Sequence, residues 1–214
     1  MKKKWIIISS VVSIVLLVCV MMGPVMSNVE QPNYQTITSQ QGIDIRKYAP
    51  MIIAEVEVKG ERDEAIGEGF RLLADYIFGN NTIQQEIAMT APVQQQNSEK
   101  IAMTAPVQQQ SQDGVWKVSF VMPAAYQMDT LPKPNNNRVT LNEVSGKSYV
   151  VIQFSGLNSN ENIAQHEKQL MQYIETKQIK TSGSAKYAFY NPPWTLPLMR
   201  RNEIMVEIEN NSMN

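Results

Sequence analysis

The chain contains a single histidine, His166, which is the only imidazole that it offers to a transition metal. His166 stands in Gln165-His166-Glu167-Lys168, on the polar side of a predicted helix and beside its apolar stripe. It is therefore either a half-exposed histidine at the edge of that stripe or a ligand to a metal. Met89 and Met103 carry thioethers that also ligate metals, although methionine in an alternating strand more often fills a core.

Two adjacent arginines, Arg200 and Arg201, follow a proline-rich turn. Their guanidinium groups can donate charge-assisted hydrogen bonds to the carboxylates of a ligand. They can equally hold Glu203 or Asp44 within the fold, and the rigid turn before them favours that structural role.

The spacing of residues reveals no catalytic constellation. Paired carboxylates are the exception, because the sequence does not show which acidic residues the fold brings together. Ser-His triads and HExxH zinc sites need a well-placed histidine, and His166 belongs to neither pattern. The only cysteine, Cys19, falls in an apolar N-terminal run, which excludes disulfides and cysteine nucleophiles from the rest of the chain. The sequence therefore predicts a protein that is not an enzyme.

The charges of the chain are unevenly placed. The 214 residues include 19 Lys and Arg and 20 Asp and Glu, and Lys2, Lys3 and Lys4 stand at the N-terminus without a nearby acid. The rest of the chain therefore carries 16 basic residues against 20 acidic ones, a net charge of −4. This balance disfavours a protein that follows nucleic-acid phosphates, so no nucleic-acid partner is predicted.

Residues 1–4 form a basic segment that is followed, at 5–22, by eighteen residues without a charge. A helix of that length measures ~27 Å, close to the ~30 Å hydrocarbon core of a bilayer. Lysines before the segment predict a body on the extracytoplasmic side. Both an uncleaved transmembrane signal anchor and a cleaved signal peptide fit the segment, with 23–33 as a linker. The predicted location is therefore membrane-anchored, or secreted or periplasmic after cleavage.

The body alternates between strand-like and helix-like patterns. Strands are predicted at 43–46, 53–58, 115–122, 139–144, 148–154, 186–190 and 203–209. Amphipathic helices are predicted at Arg62 to Phe78 and at about Asn160 to Lys177. The apolar stripe of the first is predicted to be Ile66, Phe70, Leu73, Ala74 and Ile77, and that of the second Ile163, Leu170, Tyr173 and Ile174. The segments 139–144 and 148–154 are predicted to pair around the turn Ser145-Gly146-Lys147. This order predicts one α+β domain in which a largely antiparallel, curved or closed sheet carries two helices.

A ten-residue repeat is the sharpest local signal. Ile87 to Gln96 recurs without change as Ile101 to Gln110, fourteen residues further on. An even offset keeps the two-residue period, so two adjacent strands are predicted, with Met89 and Met103 both facing inward.

Four motifs, in order, resemble those of the SOUL haem-binding protein family. They are Ile101 to Val107 (IAMTAPV), Phe120 to Pro123 (FVMP), Leu131 to Asn135 (LPKPN), and Tyr190 to Pro197 (YNPPWTLP) leading into Arg200 to Glu203 (RRNE). The resemblance covers roughly residues 34–209 and leaves 210–214 as a tail. It implies a distorted antiparallel β-barrel with two helices in two βαββ halves, and tetrapyrrole binding without known catalysis.

The resemblance also implies a haem site beside the first helix, held without a covalent bond. The positions that carry over fall at Gly67, Phe70, Ala74, Asp75 and around Thr195-Leu196, where the family's basic partners are missing although Arg71 lies on the same helix. The candidate cofactor-binding residues are therefore Phe70, Arg71, Leu73, Ala74, Ile77 and Trp194, with His166 as the candidate iron ligand. In a second group of family members, a histidine just before the first long strand is the proposed ligand. This chain has Lys47 at that position, and a protonated lysine has no lone pair with which to ligate iron.

Two functions follow from these observations. The first is an exported, membrane-anchored protein that binds haem or another tetrapyrrole without catalysis, with the membrane contacted through its N-terminal segment. The alternative is a structural or interaction domain of the cell envelope that keeps the fold and has lost haem binding, as the missing basic and histidine positions suggest. The sequence does not identify a protein partner.

Overall fold

The structure is a computed structural model that describes residues 29–83, 100–112 and 114–209. The helices are α1 (Arg62–Ile77) and α2 (Asn160–Thr176), with a short 3-10 turn at Pro197–Met199. The strands are β1 (Tyr34–Gln40), β2 (Ile43–Tyr48), β3 (Met51–Lys59), β4 (Asn81–Thr82), β5 (Val107–Gln112), β6 (Val115–Val121), β7 (Lys133–Pro134), β8 (Thr140–Val144), β9 (Ser148–Phe154), β10 (Thr181–Phe189) and β11 (Asn202–Ile208).

Nine of these strands form one curled antiparallel sheet in the order β1-β2-β9-β11-β10-β5-β6-β3-β8, and β4 pairs with β7. Helix α1 packs on β3 and β6, and α2 packs on β9 and β11, so each helix covers one half of the sheet. The units β3-α1-β5-β6 and β9-α2-β10-β11 repeat the same layout and meet where β5 pairs with β10. The predicted α+β fold with two helices and two βαββ halves is confirmed.

The predicted pairing of 139–144 with 148–154 is wrong. Both segments are strands, but β8 pairs with β3, while β9 lies between β2 and β11 in the other half of the sheet. The turn at Ser145-Gly146-Lys147 instead crosses between the halves beside the β2–β3 connection, where the Tyr48 amide donates to the Lys147 carbonyl at 2.8 Å. A Cβ on Gly146 would lie 2.9 Å from the Tyr48 carbonyl oxygen, so this crossing needs glycine.

Helix α1 follows the predicted pattern and ends one residue earlier than expected. Leu73, Tyr76 and Ile77 are fully buried against the sheet. Gly69 allows the closest approach of helix and sheet, because a Cβ there would lie 2.7 Å from Val118 Cγ2. The chain leaves the helix through Gly79, whose φ of 123° favours glycine.

Helix α2 begins after Ser159, whose side chain accepts a hydrogen bond from the Asn162 amide. Ile163, Leu170 and Ile174 are buried on β9 and β11, as the predicted apolar stripe requires. The prediction of this helix is confirmed to within one residue at its C-terminus.

The second copy of the repeat is a strand only in its last residues. In the second copy, residues 101–106 have irregular backbone with a cis Ala105-Pro106 bond, and only Val107 onward belongs to β5. Met103 is 40% exposed, so the prediction that it faces inward is wrong; Ile101 and Ala105 fill the core instead. Residues 84–99, which contain the first copy and Met89, lie outside the described residues.

A buried ion network links β2, β11 and the loop before β11. Glu203 is fully buried, and Arg46 Nη1 donates to its Oε1 at 2.8 Å. Arg201 Nη2 donates to the same oxygen at 2.7 Å, while the Tyr190 hydroxyl donates to Oε2 at 2.8 Å. Arg46 also donates to Asp44. Of the two roles that the sequence left open, Arg201 therefore has the structural one.

The predicted span at 5–22, the basic segment 1–4 and the tail 210–214 lie outside the described residues. In the part of the chain that is described, neither helix is long and apolar enough to cross a membrane. The last residues of the predicted linker, 29–33, lie on the domain and are called the strap below.

Candidate functional site

A groove of about 620 Å³ opens at the end of the sheet where β2 passes into β3. Four separate segments form its walls: strap residues 30–33, residues 49–52, residues 121–128 after β6, and residues 143–145 at the end of β8. A volume of this size lies within the range of small-molecule sites in proteins. The groove is therefore the strongest candidate for a ligand site among the described residues.

Apolar side chains dominate the groove walls. They include half-buried Met51, Ile52, Tyr126, Met128 and Val144, together with buried Val121 and Met122. Three prolines, Pro32, Pro50 and Pro123, restrict the backbone around the opening. Such a lining suits a flat apolar ligand, because apolar contact needs no matched polar partner.

The polar groups of the groove are carboxylates, amides and hydroxyls. Glu30 Oε1 accepts a hydrogen bond from the Ala124 amide at 2.7 Å, and the Glu30 carbonyl accepts one from the Ala105 amide. Thr104 donates its hydroxyl proton to the Val121 carbonyl. Among the described residues, the charged side chains of the lining are those of Glu30 and Glu143, so this rim carries negative charge and offers no lysine or arginine to an anionic group.

The candidate residues on α1 divide between the core and the surface. Leu73 and Ile77 are fully buried against the sheet, so their side chains supply the core rather than a ligand surface. Phe70 is 38% exposed and packs edge-on against Phe120, with ring centroids 5.4 Å apart. Arg71 is exposed and Ala74 is half-buried. None of these α1 residues lines the groove.

Trp194 is 65% exposed in the loop before β11, away from the groove lining. Arg200 holds this loop by donating to the Thr195 carbonyl at 2.8 Å and to the Pro193 carbonyl. The loop also adjoins the N-terminal end of α2, because the Gly156 amide donates to the Pro197 carbonyl at 2.8 Å. The structure therefore places Trp194 on a different surface from the groove.

His166 is half-buried at the edge of the α2 stripe, one of the two positions that the sequence allowed. Its ring stacks on Phe154 with centroids 4.2 Å apart, and Nδ1 lies 2.8 Å from the Asn162 carbonyl oxygen. These contacts hold Nδ1 in a hydrogen bond within the helix and leave His166 outside the groove. Lys47 is exposed on β2. Across the described residues, no three His, Cys, Asp or Glu side chains gather as a metal site.

A second, much smaller cavity of about 40 Å³ lies on the sheet face opposite the helices. Lys186 lines it and contacts the Tyr149 hydroxyl at 3.4 Å. Burial lowers the pKa of the Lys186 ammonium and raises the pKa of the Tyr149 hydroxyl. With room for only a few water molecules, this cavity does not compete with the groove as a site for a large ligand.

Sequence reasoning missed the groove because its walls come from segments far apart in the chain. A signal was nevertheless present, since Thr104 belongs to the IAMTAPV motif and Val121, Met122 and Pro123 belong to the FVMP motif. Two of the four motifs behind the family resemblance thus meet at this groove.

Solved structures with the same fold are distant in sequence. The crystal structure of the EcmrR C-terminal domain is 10% identical with a TM-score of 0.57, covering 82% of this chain and 98% of its own. A crystal structure of a hydrolase from Listeria innocua is 11% identical with a TM-score of 0.50, covering 81% and 94%. An uncharacterized conserved protein from Listeria innocua is 12% identical with a TM-score of 0.52, covering 80% and 94%. These likenesses show the fold alone.

Sequence comparison with curated proteins finds no match. A family model, in contrast, matches residues 29–207, which is most of the chain. Its description is SOUL heme-binding protein.

Proposed function

We propose that this chain, which belongs to the SOUL heme-binding protein family, binds haem or a related tetrapyrrole in the groove without catalysing a reaction. The observation that carries the proposal is the groove itself: it measures about 620 Å³, most of its lining residues are apolar, and two of the family motifs contribute to its lining. The outer face of α1 offers Phe70 and Arg71 but no comparable set of enclosing walls.

The residues of the groove suit a macrocycle that is held mainly by apolar contact. The lining includes the thioethers of Met51, Met122 and Met128 and the phenol of Tyr126, which are groups of the types that ligate haem iron. Glu30 and Glu143 disfavour ligand carboxylates inside, so the propionates of a bound haem should face solvent. When bound, haem would supply an iron centre and an absorbance band that reports its ligation.

We also propose that the domain is exported and tethered to a membrane by residues 5–22. The support is the uncharged length of that segment and the three lysines before it. A cleaved signal peptide would leave the same domain secreted or periplasmic.

A haemin titration of the full-length protein, followed by its Soret absorbance, tests the binding proposal. Met128→Asp places a carboxylate in the groove wall, and Phe70→Asp is the matched change on α1. We expect Met128→Asp to weaken haemin binding at least about tenfold, or about 1.4 kcal/mol, and Phe70→Asp to change it by less than about threefold. Met128→Leu keeps the apolar surface, so it should preserve most of the affinity while removing one possible thioether ligand.

The outcomes separate the candidate functions. A loss of affinity in Phe70→Asp but not in Met128→Asp would move the site to α1. An unchanged spectrum up to tens of micromolar haemin would reject tetrapyrrole binding. It would favour the envelope structural or interaction domain, an alternative supported by the placement of His166 and Lys47 outside the groove lining.

A further inference from the structure

The loop between β10 and β11 exposes an unusual run of large apolar side chains. The exposed fractions are 65% for Trp194, 47% for Leu196, 89% for Leu198 and 43% for Met199. Leu157, which is 53% exposed, lies one residue from Gly156, whose amide is bonded to this loop. Single exposed apolar residues are ordinary on a protein surface, but a cluster of this kind marks a contact site.

The loop presents these side chains in a fixed conformation. Its backbone is restricted by three prolines, Pro192, Pro193 and Pro197. The Arg200 guanidinium donates hydrogen bonds to two carbonyl groups of the loop. The Thr195 amide donates to the Pro192 carbonyl, and the 3-10 turn at Pro197–Met199 closes the loop. Its apolar surface is therefore organised before contact, which lowers the entropy cost of docking.

The position of the strap links this loop to the proposed membrane tether. Arg201, directly after the loop, donates from Nη1 to Gln31 Oε1 at 3.0 Å and from Nη2 to the Tyr34 hydroxyl at 3.3 Å. Only residues 23–28 separate the predicted span at 5–22 from the first described residue. Six extended residues reach about 20 Å, so the tether would hold the loop side of the domain close to the bilayer.

The chemistry of the loop matches the region between lipid headgroups and acyl chains. Tryptophan is enriched at that depth because its ring is apolar and its indole N–H can meet water or headgroups. Leucine and methionine gain from contact with acyl chains.

We infer that the loop Asn191–Arg200 docks on the bilayer that holds the N-terminal segment, with Trp194, Leu196 and Leu198 in the interfacial region. This inference rests on the proposed tether and not on haem binding. It assigns the exposed part of the YNPPWTLP motif to membrane contact.

Site-specific fluorescence in reconstituted vesicles tests the docking. In a Cys19→Ser background, Leu198→Cys is labelled with an environment-sensitive fluorophore, and Phe78→Cys is the matched control. Phe78 is 58% exposed and follows the C-terminal end of α1. The other end of this helix lies near the start of α2, where Arg62 donates a hydrogen bond to Asn160. Phe78 is therefore about 24 Å along the helix from the end that lies near the loop. Both proteins are placed in phosphatidylcholine–phosphatidylglycerol vesicles, with and without a spin-labelled lipid that quenches fluorescence in the membrane.

We expect the label at position 198 to shift to shorter wavelength and to be quenched at least about twofold more than the label at 78. Equal emission and quenching at the two positions, in protein that floats with the vesicles, would overturn docking and leave the tether intact. Protein that fails to float would overturn both. A label at 198 that responds to added haemin but not to the spin-labelled lipid would make the loop part of a haem site and also overturn the inference.

Discussion

Replacing Arg46 by methionine should destabilise the fold far more than removing an exposed cation, because Arg46 neutralises a buried carboxylate. Glu203 is fully buried and Arg46 is 3% exposed, and their charged groups lie 2.8 Å apart. Methionine fills much of the same volume but leaves Glu203 with only Arg201 as a cationic partner. The variant therefore tests whether the ion network, which reaches from β2 across β9 to β11, contributes to stability beyond packing alone.

The size of the effect follows from the burial of the pair. Removing one partner of a buried ion pair costs about 3–5 kcal/mol. Because Arg201 still pairs with Glu203, we expect a loss of about 3 kcal/mol, at the low end of this range. With a urea m value of about 2 kcal/mol/M, the unfolding midpoint should fall by about 1.5 M. Lys117 is the control: its side chain is 38% exposed and lies 3.1 Å from Glu57. Lys117→Met should cost less than about 1 kcal/mol, or about 0.5 M urea.

Urea unfolding of the full-length protein, followed by far-ultraviolet circular dichroism, measures both midpoints. Adding Glu203→Gln to the Arg46→Met variant should recover part of the loss, because it removes the uncompensated charge. A midpoint for Arg46→Met no lower than that of Lys117→Met would refute the reasoning. Failure of the double variant to recover any stability would assign the cost to packing instead.

Three further changes test the packing, the charge and the candidate ligand. Gly69→Ala should destabilise the fold by about 1–3 kcal/mol, because the new Cβ would lie 2.7 Å from Val118 Cγ2. Gly67→Ala is the control: its Cβ would have its closest neighbour at 3.7 Å, so this change should be neutral or stabilising. Thermal unfolding compares the two variants. Burial lowers the Lys186 pKa below 10.5, so the unfolded chain binds that proton more tightly than the folded chain does. The free energy of unfolding should therefore rise as the pH increases toward 10.5. Urea titrations at neutral and alkaline pH measure this rise, and Lys186→Met should abolish the contribution of this group. His166→Ala should change haemin affinity by less than about threefold, or ~0.7 kcal/mol, and a tenfold loss would bring α2 into the site.

Local patterns were sufficient for the helices and most strands of this fold. Helix α2, for example, combines a serine cap with Ile163, Leu170 and Ile174 on one face, and both signals are visible in the sequence. Strand β1 was missed because Tyr34–Gln40 is exposed along its whole length and shows no apolar alternation. The β8–β9 hairpin was predicted wrongly because a turn signal does not reveal which strands will pair across the sheet.

The candidate site was less accessible to sequence reasoning, since one apolar stripe contains residues with different environments. Phe70 and Leu73 share the predicted stripe of α1, yet Phe70 is 38% exposed and Leu73 is fully buried. The close approach of α1 to the sheet at Gly69, beside Val118, is a tertiary contact that the sequence pattern does not reveal. The groove, in turn, depends on contacts between the strap and the residues after β6, such as the bond from Ala124 to Glu30.

The strap connects both proposals while keeping them separable. Glu30 lines the groove and bonds Ala124, and Gln31 bonds Arg201 beside the exposed loop. An uncleaved tether would therefore hold the mouth of the groove and the apolar loop near the same bilayer. Cleavage of a signal peptide before residue 29 would leave the strap residues 29–33 in place, so haem binding in the groove should survive it. Loop docking would then lose the tether that brings it to the membrane, and the exposed leucines alone would have to supply the affinity.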